Sequence, residues 1–111
     1  MRKVLSTQQK FMSADEALER LKTGNLKYLD SNTACGNISS ERRKHTCENG
    51  QNPFAVVVAC SDSRVIPEYI FSVGIGRLFV IRVAGNVIDN HQMGSIEYAV
   101  EHLGCKLVVV L

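Results

Sequence analysis

The sequence has no tryptophan, only two prolines among its 111 residues, and no long apolar segment. Its longest uninterrupted apolar run, Phe54 to Cys60, covers seven residues, against the ~20 that a membrane-spanning helix needs, which excludes a helical membrane protein. The opening residues Met1 to Ser13 are basic and polar without an apolar stretch, so nothing there marks the chain for secretion and a cytoplasmic location is expected. Surplus charge is also missing. Thirteen Lys and Arg against eleven Asp and Glu leave a net charge of +2, too little to suggest a nucleic-acid groove or a membrane surface as partner. The one basic cluster, Arg42, Arg43, Lys44 and His45, reads as a solvated face. The four cysteines, Cys35, Cys47, Cys60 and Cys105, form no Cys-x-x-Cys pair. In a reducing compartment such unevenly spaced cysteines serve as metal ligands, nucleophiles or small buried groups rather than as disulfides.

What is present is one small domain's worth of ordinary globular composition, 45% hydrophobic and 22% charged. Residues 1–50 read as an N-terminal helical arm and linker, residues 51–111 as an α/β core. In the arm, Ser13 caps an amphipathic helix running to about Leu29, with Glu16 completing a capping box. Ala17, Leu18, Leu21, Tyr28 and Leu29 form its expected apolar face. Gly24 weakens the middle of that helix by about 1 kcal/mol relative to Ala, which points to close packing or a bend there. Asp30 to Pro53 is polar throughout, with a short helix expected near Glu41 to Cys47.

The core alternates. Phe54 to Ala59 is a Val-rich run of the kind buried on both faces of a parallel sheet. Pro67 opens a short helix through Phe71, and a second strand spans Leu78 to Val83. Gly85 and Asn86 form a turn, after which Asp89 or Asn90 caps a helix presenting Met93, Ile96, Val100 and Leu103 and stopping at Gly104. Lys106 to Leu111 is a third strand. Strand, helix, strand, helix, strand predicts an α/β fold, a parallel β-sheet core with flanking helices and an extended N-terminal helix. In such sheets binding residues lie just past the carboxyl ends of the strands, here the loop from Cys60 and the turn at Ala84 to Asn86.

Ala59-Cys60-Ser61-Asp62-Ser63-Arg64 carries the densest chemistry. A thiol, a carboxylate and a guanidinium leave the sheet at alternate positions. A thiolate is a soft ligand suited to zinc, a nearby Arg lowers its pKa, and Arg pairs bidentately with Asp. The plainer alternative is a small buried cysteine beside a surface ion pair. A thiol-phosphatase cradle requires a longer spacing than the three residues between Cys60 and Arg64. His45-Thr46-Cys47 has no defined metal geometry by itself, and Gly74-Ile75-Gly76 leads into a strand rather than the helix a dinucleotide phosphate needs, so it reads as a turn.

Several blocks together resemble the beta-class carbonic anhydrases. These are Gln51-Asn52-Pro53-Phe54-Ala55, Ala59-Cys60-Ser61-Asp62-Ser63-Arg64-Val65, Phe79-Val80-Ile81-Arg82-Val83-Ala84-Gly85-Asn86 and Gly94-Ser95-Ile96-Glu97-Tyr98-Ala99-Val100, with Ala17-Leu18 through Gly24-Asn25 similar to the family's first helical region. The resemblance implies a zinc-dependent lyase that reversibly hydrates carbon dioxide to bicarbonate, with one Zn2+ per chain. It makes Cys60 the first zinc ligand. Asp62 and Arg64 become a catalytic dyad in which Arg holds Asp, with Asp62 able to swing onto zinc in a closed state. Gln51, Phe79 and Tyr98 become substrate-binding residues, and the implied assembly is a homodimer or higher even oligomer with exchanged N-terminal helices.

The family's other two ligands, a His and a Cys in a Gly-His-x-x-Cys-Gly segment after the third strand, have no counterpart in these residues, since the sequence stops one residue before that motif. The expected fold is therefore an incomplete family fold, and a catalytically inactive remnant or dimer-packing fragment is the alternative function; carbon disulfide or carbonyl sulfide as substrate is a third. His102-Leu103-Gly104-Cys105 has the same His-x-x-Cys spacing but precedes its strand, whereas Cys60 follows one. Parallel strands of five or six residues put the two ~17 to 20 Å apart. His102 reads as a helix C-terminal residue and Cys105 as buried packing.

Overall fold

A computed structural model of the chain describes residues 11–30 and 36–111. The expected elements are present: α1 (Ala14–Asp30), α2 (Ser40–Asn49), β1 (Ala55–Ala59), α3 (Pro67–Ile70), β2 (Leu78–Arg82), a 3-10 turn (Ala84–Asn86), α4 (Asn90–His102) and β3 (Val108–Val110). Cys35 and the opening residues 1–10 lie outside the described residues. No helix among those described is long and apolar enough to cross a membrane.

The three strands form one parallel sheet in the order β2-β1-β3. Its central strand explains the unbroken Val-rich run. Helices cover both faces of β1, so all five of its residues are buried, and each Val contributes on the order of 1.5–3 kcal/mol. Ala55, Val57 and Ala59 pack with Ala17 and Leu21 of α1 and with Phe71 and Val73 beyond α3. Val56 packs on the opposite side with Ile81, Ala99, Leu103 and Cys105. Register pairs Val56 with Phe79 and Ala59 with Arg82, which brings the carboxyl ends of β1 and β2 together.

Helix ends follow the sequence closely. The Glu16 amide donates to Ser13 Oγ at 3.1 Å, and Ser13 Oγ donates to the Glu16 carboxylate at 3.2 Å. Asp89 caps α4 in a full capping box with Gln92. Gly24 is the point of closest approach between α1 and the chain after α3: a Cβ there would lie 1.8 Å from the Phe71 carbonyl oxygen. The close packing expected from a mid-helix glycine is thus what the structure contains.

Two expected helix faces need correction. On α1 the buried positions are Ala17, Leu21 and Gly24, whereas Leu18, Tyr28 and Leu29 are exposed. On α4 the inward positions are Ile96, Ala99 and Leu103, while Met93 and Val100 face outward. In both helices a small residue meets a neighbouring surface closely, and that contact sets the rotation of the helix in place of the largest apolar side chains. The polar segment beyond Asp30 also contains more helix than expected. Ser39 caps α2 by accepting from the Arg42 amide at 3.1 Å, and Arg42 Nε donates to the Ile75 carbonyl at 2.9 Å, tying α2 to the core although it buries no residue of its own.

Candidate metal centre at the carboxyl edge of the sheet

Beyond Ala59 the chain leaves the sheet and turns on Asp62. The carboxylate Oδ1 accepts from the Arg64 amide at 2.9 Å, and the Asp62 carbonyl accepts from the Val65 amide at 3.2 Å. This tight turn folds the Arg64 side chain back. Arg64 Nε reaches Oδ1 at 3.0 Å and Nη2 reaches Oδ2 at 2.6 Å, the bidentate pairing predicted from the spacing. Arg64 holds the Asp62 carboxyl below the usual carboxylate range, first through its side-chain bonds and then through its backbone amide, and Asp62 raises the Arg64 guanidinium in return.

Arg82, the last residue of β2, organises the same loop, a role the sequence reading missed. Its Nε donates to the Cys60 carbonyl at 2.8 Å, and its Nη2 donates to the Asp62 and Val65 carbonyls at 2.6 and 2.7 Å. A single charged side chain thereby donates to three loop carbonyls outside any helix or strand ladder, and for the Asp62 carbonyl it adds to the Val65 amide. An Arg ending an otherwise apolar strand was the available signal.

The Cys60 thiol is half-buried and unbridged. Gly85, left-handed at φ 75°, aims its amide at Cys60 Sγ from 3.3 Å. That amide, followed by the backbone of Asp62, lowers the thiol pKa, against the opposing Asp62 charge. The cause differs from the one expected: Arg64 is committed to Asp62, and backbone N–H groups favour the thiolate. Asn86, also left-handed, donates from Nδ2 to the Leu111 carbonyl, and the Leu111 amide donates to Val58 at 2.8 Å, so the end of β3 lies beside this loop.

The remaining predicted residues sit elsewhere. Gln51 is exposed at the amino end of β1, beside Thr46, Cys47 and Gly76 on a cavity of about 430 Å³. Phe79 and Tyr98 have ring centroids 6.1 Å apart, and Tyr98 lies 5.2 Å from the His102 ring, on the α4 side of the sheet. By register Phe79 stands three residues before Arg82, ~10 Å from the strand ends. Cys105 is buried, approaches the Pro53 carbonyl at 3.5 Å at the amino end of β1, and has its thiol pushed up to about 11 by burial. It is packing, at the opposite end from Cys60.

As a zinc site these residues fit in part. Cys60 offers an accessible thiol poised toward thiolate, but both oxygens of Asp62 are taken by Arg64, and the described residues contain no group of three His, Cys, Asp or Glu able to hold a metal. Catalytic zinc sites use three protein ligands and an open position.

The parallel α/β sheet thus presents a thiol and an Arg-locked carboxylate at its carboxyl edge, and comparisons with known proteins place this scaffold in a family. The profile of the family described as carbonic anhydrase matches residues 55–111. A carbonic anhydrase of Mycolicibacterium smegmatis is 45% identical over 95 residues, covering 86% of this chain and 46% of its own length. The beta-carbonic anhydrase CafA of Aspergillus fumigatus superposes with a TM-score of 0.58 at 29% identity, over 86% of this chain and 44% of that one. One of two tetrameric beta-carbonic anhydrases of Sordaria macrospora superposes at 0.53 with 30% identity, over 64% and 42%. The chain belongs to the beta-carbonic anhydrase family. It spans about half the length of the curated relatives it matches.

Proposed function

We propose that this chain supplies the first metal ligand and the Asp–Arg dyad of a carbonic anhydrase, the reversible hydration of carbon dioxide to bicarbonate. The observation that carries the reading is the lowered, unbridged Cys60 thiol next to the bidentate Asp62–Arg64 pair at the sheet's carboxyl edge. Cys60 would hold the zinc through Sγ; when bound, the metal brings the pKa of a coordinated water toward ~7. The chain's own residues supply position and charge. Arg64 keeps Asp62 ionised and fixed, so that the carboxylate orients a proton donor beside the thiol instead of acting as an acid. Arg82 and Gly85 hold the loop and the sulfur from behind. For Asp62 to serve as a ligand in a closed state, it would have to leave Arg64. Gln51, Phe79 and Tyr98 are proposed as substrate-binding residues. Because Gln51 lies at the far end of β1 from Cys60, it would serve a site other than the one its own chain's Cys60 belongs to. An even-numbered homo-oligomer meets that condition, and it would also cover Leu26 and Leu29 of α1, which are 63% and 70% exposed.

A second reading rests on the absence of a three-donor group among the described residues: the 111-residue chain by itself would hold no zinc and would act through packing. One pair of preparations separates the readings. The chain alone is expected to contain far less than one zinc and to hydrate carbon dioxide no faster than buffer. A chimera joining residues 1–111 to the remaining half of the M. smegmatis relative is expected to bind one zinc per chain and turn over. In that chimera Cys60→Ser should lose the metal, while Asp62→Asn should keep it with reduced kcat. Full zinc content in the Cys60→Ser chimera would remove the ligand assignment.

A further inference from the structure

A second feature lies well away from Cys60, where α1, α2 and the approach to β2 converge on a cavity of about 480 Å³. Its lining includes four cationic side chains: Arg20 and Lys27, two turns apart on α1, Arg42 on α2, and Arg77 immediately before β2. No carboxylate is among the lining residues, and the ion pairs found among the described residues involve none of the four. With a net charge of only +2 over the whole chain, such a concentration of one sign in one cavity is a local construction rather than a general surface excess.

The guanidinium groups are braced by neutral partners. Arg42 Nε donates to the Ile75 carbonyl at 2.9 Å and Arg77 Nη1 to the Asn52 carbonyl at 3.2 Å. Arg20 and Arg77 both lie against the Phe54 ring, 5.6 and 5.4 Å from its centroid. Bracing of this kind positions the groups while leaving most of their five N–H donors free for a ligand. Arg77 is held below the usual arginine range by burial and then by the charges of Arg20 and Arg42, a repulsion that a bound anion would relieve.

Ser72, held left-handed at φ 49°, also lines this wall, although its hydroxyl is fully buried behind it and not open to the cavity.

We infer that this cavity is a binding site for a phosphate-class dianion, either inorganic phosphate or the phosphate of a small monoester, gripped by Arg20, Lys27, Arg42 and Arg77. A dianion offsets two of the four charges where bicarbonate or chloride offsets one. The planar N–H forks of arginine match phosphate oxygens bidentately, and the volume falls within the range of small-molecule sites.

The test is titration calorimetry on the intact chain at pH 8, where inorganic phosphate is largely dianionic, with ionic strength held constant by sodium chloride. Inorganic phosphate is expected to bind saturably at one per chain and at least tenfold more tightly than bicarbonate; phenyl phosphate, run in parallel, shows whether the site takes the free ion or a monoester. Lys27→Gln and Arg42→Gln should each weaken binding about tenfold. Arg43→Gln, on the exposed side of the same helix, should leave it unchanged. Because Arg42 also ties α2 to Ile75, Lys27→Gln, which breaks no hydrogen bond among the described residues, keeps the test open if Arg42→Gln unfolds. Phosphate binding no tighter than that of bicarbonate, or equal weakening by Arg43→Gln and Lys27→Gln, would overturn the assignment.

Discussion

Replacing Gly24 by Ala sets two physical effects of opposite sign against each other. By intrinsic preference alone, Ala inside a helix is favoured over Gly by about 1 kcal/mol. The new Cβ, however, would stand 1.8 Å from the Phe71 carbonyl oxygen, 2.7 Å from its carbon and 3.3 Å from its Cα. These are backbone atoms, unable to rotate away, and relief would require α1 to lift from α3 by more than an ångström. That movement uncovers Ala17 and Leu21, which are 0% and 2% exposed. Overpacking of this kind costs up to about 3 kcal/mol, so after the propensity gain the net loss is about 2 kcal/mol. Gly94 on α4 is the control: it too is inside a helix, but nothing lies within 4 Å of its ideal Cβ, and Gly94→Ala should gain about 1 kcal/mol. Urea denaturation followed by far-ultraviolet circular dichroism reads both. A Gly24→Ala protein as stable as the parent would mean that α1 is not seated on Phe71.

Three further outcomes are expected. At pH 8 iodoacetamide should alkylate Cys60 well before Cys105, since backbone amides lower one thiol while burial holds the other near 11; labelling of Cys105 first, resolved by peptide mass spectrometry, would contradict this. Because the Asp62 pKa is depressed in the folded chain, its contribution to stability is present above the unfolded carboxylate pKa of ~3.9 and is lost as pH falls through the folded value. The stability gap between the parent and Asp62→Asn should therefore close in acid, and a gap independent of pH would argue that the ion pair does not form. Arg82→Leu removes the donors to three loop carbonyls and should cost about 2 kcal/mol in chemical denaturation while making Cys60 more reactive to bulky thiol reagents; unchanged stability and reactivity would show that the loop holds itself.

Much of this molecule follows from local pattern. The apolar runs at Phe54 to Ala59 and Leu78 to Val83, punctuated by Pro67, Gly85 and Asp89, suffice for the alternation of elements and the parallel sheet. The alternating Cys60, Asp62 and Arg64 suffice for the ion pair, because its partners are two residues apart and the turn that joins them uses Asp62's own side chain. Even the crowding at Gly24 announces itself as an expensive residue in a helix that has no local need of it.

What a helix presents to its neighbours is a different matter. Periodicity shows that α1 and α4 have apolar sides, but their rotation was decided by the close approach of small residues, Gly24 and Ala99, to surfaces distant in sequence. Backbone groups leave no trace in composition, so the three carbonyls gathered by Arg82 and the Gly85 amide that lowers the Cys60 thiol appear only once β2 is laid beside β1. The separation of Gln51 from Cys60 is likewise a consequence of strand direction, since the two residues lie beyond opposite ends of β1. The cationic cavity draws Arg20, Lys27, Arg42 and Arg77 from three separate stretches of chain, and no sequence window contains all four. Sequence determined what each segment is; packing between segments decided which charges, carbonyls and thiols would meet, because electrostatics and hydrogen bonding act over a few ångströms of space, whatever the separation along the chain.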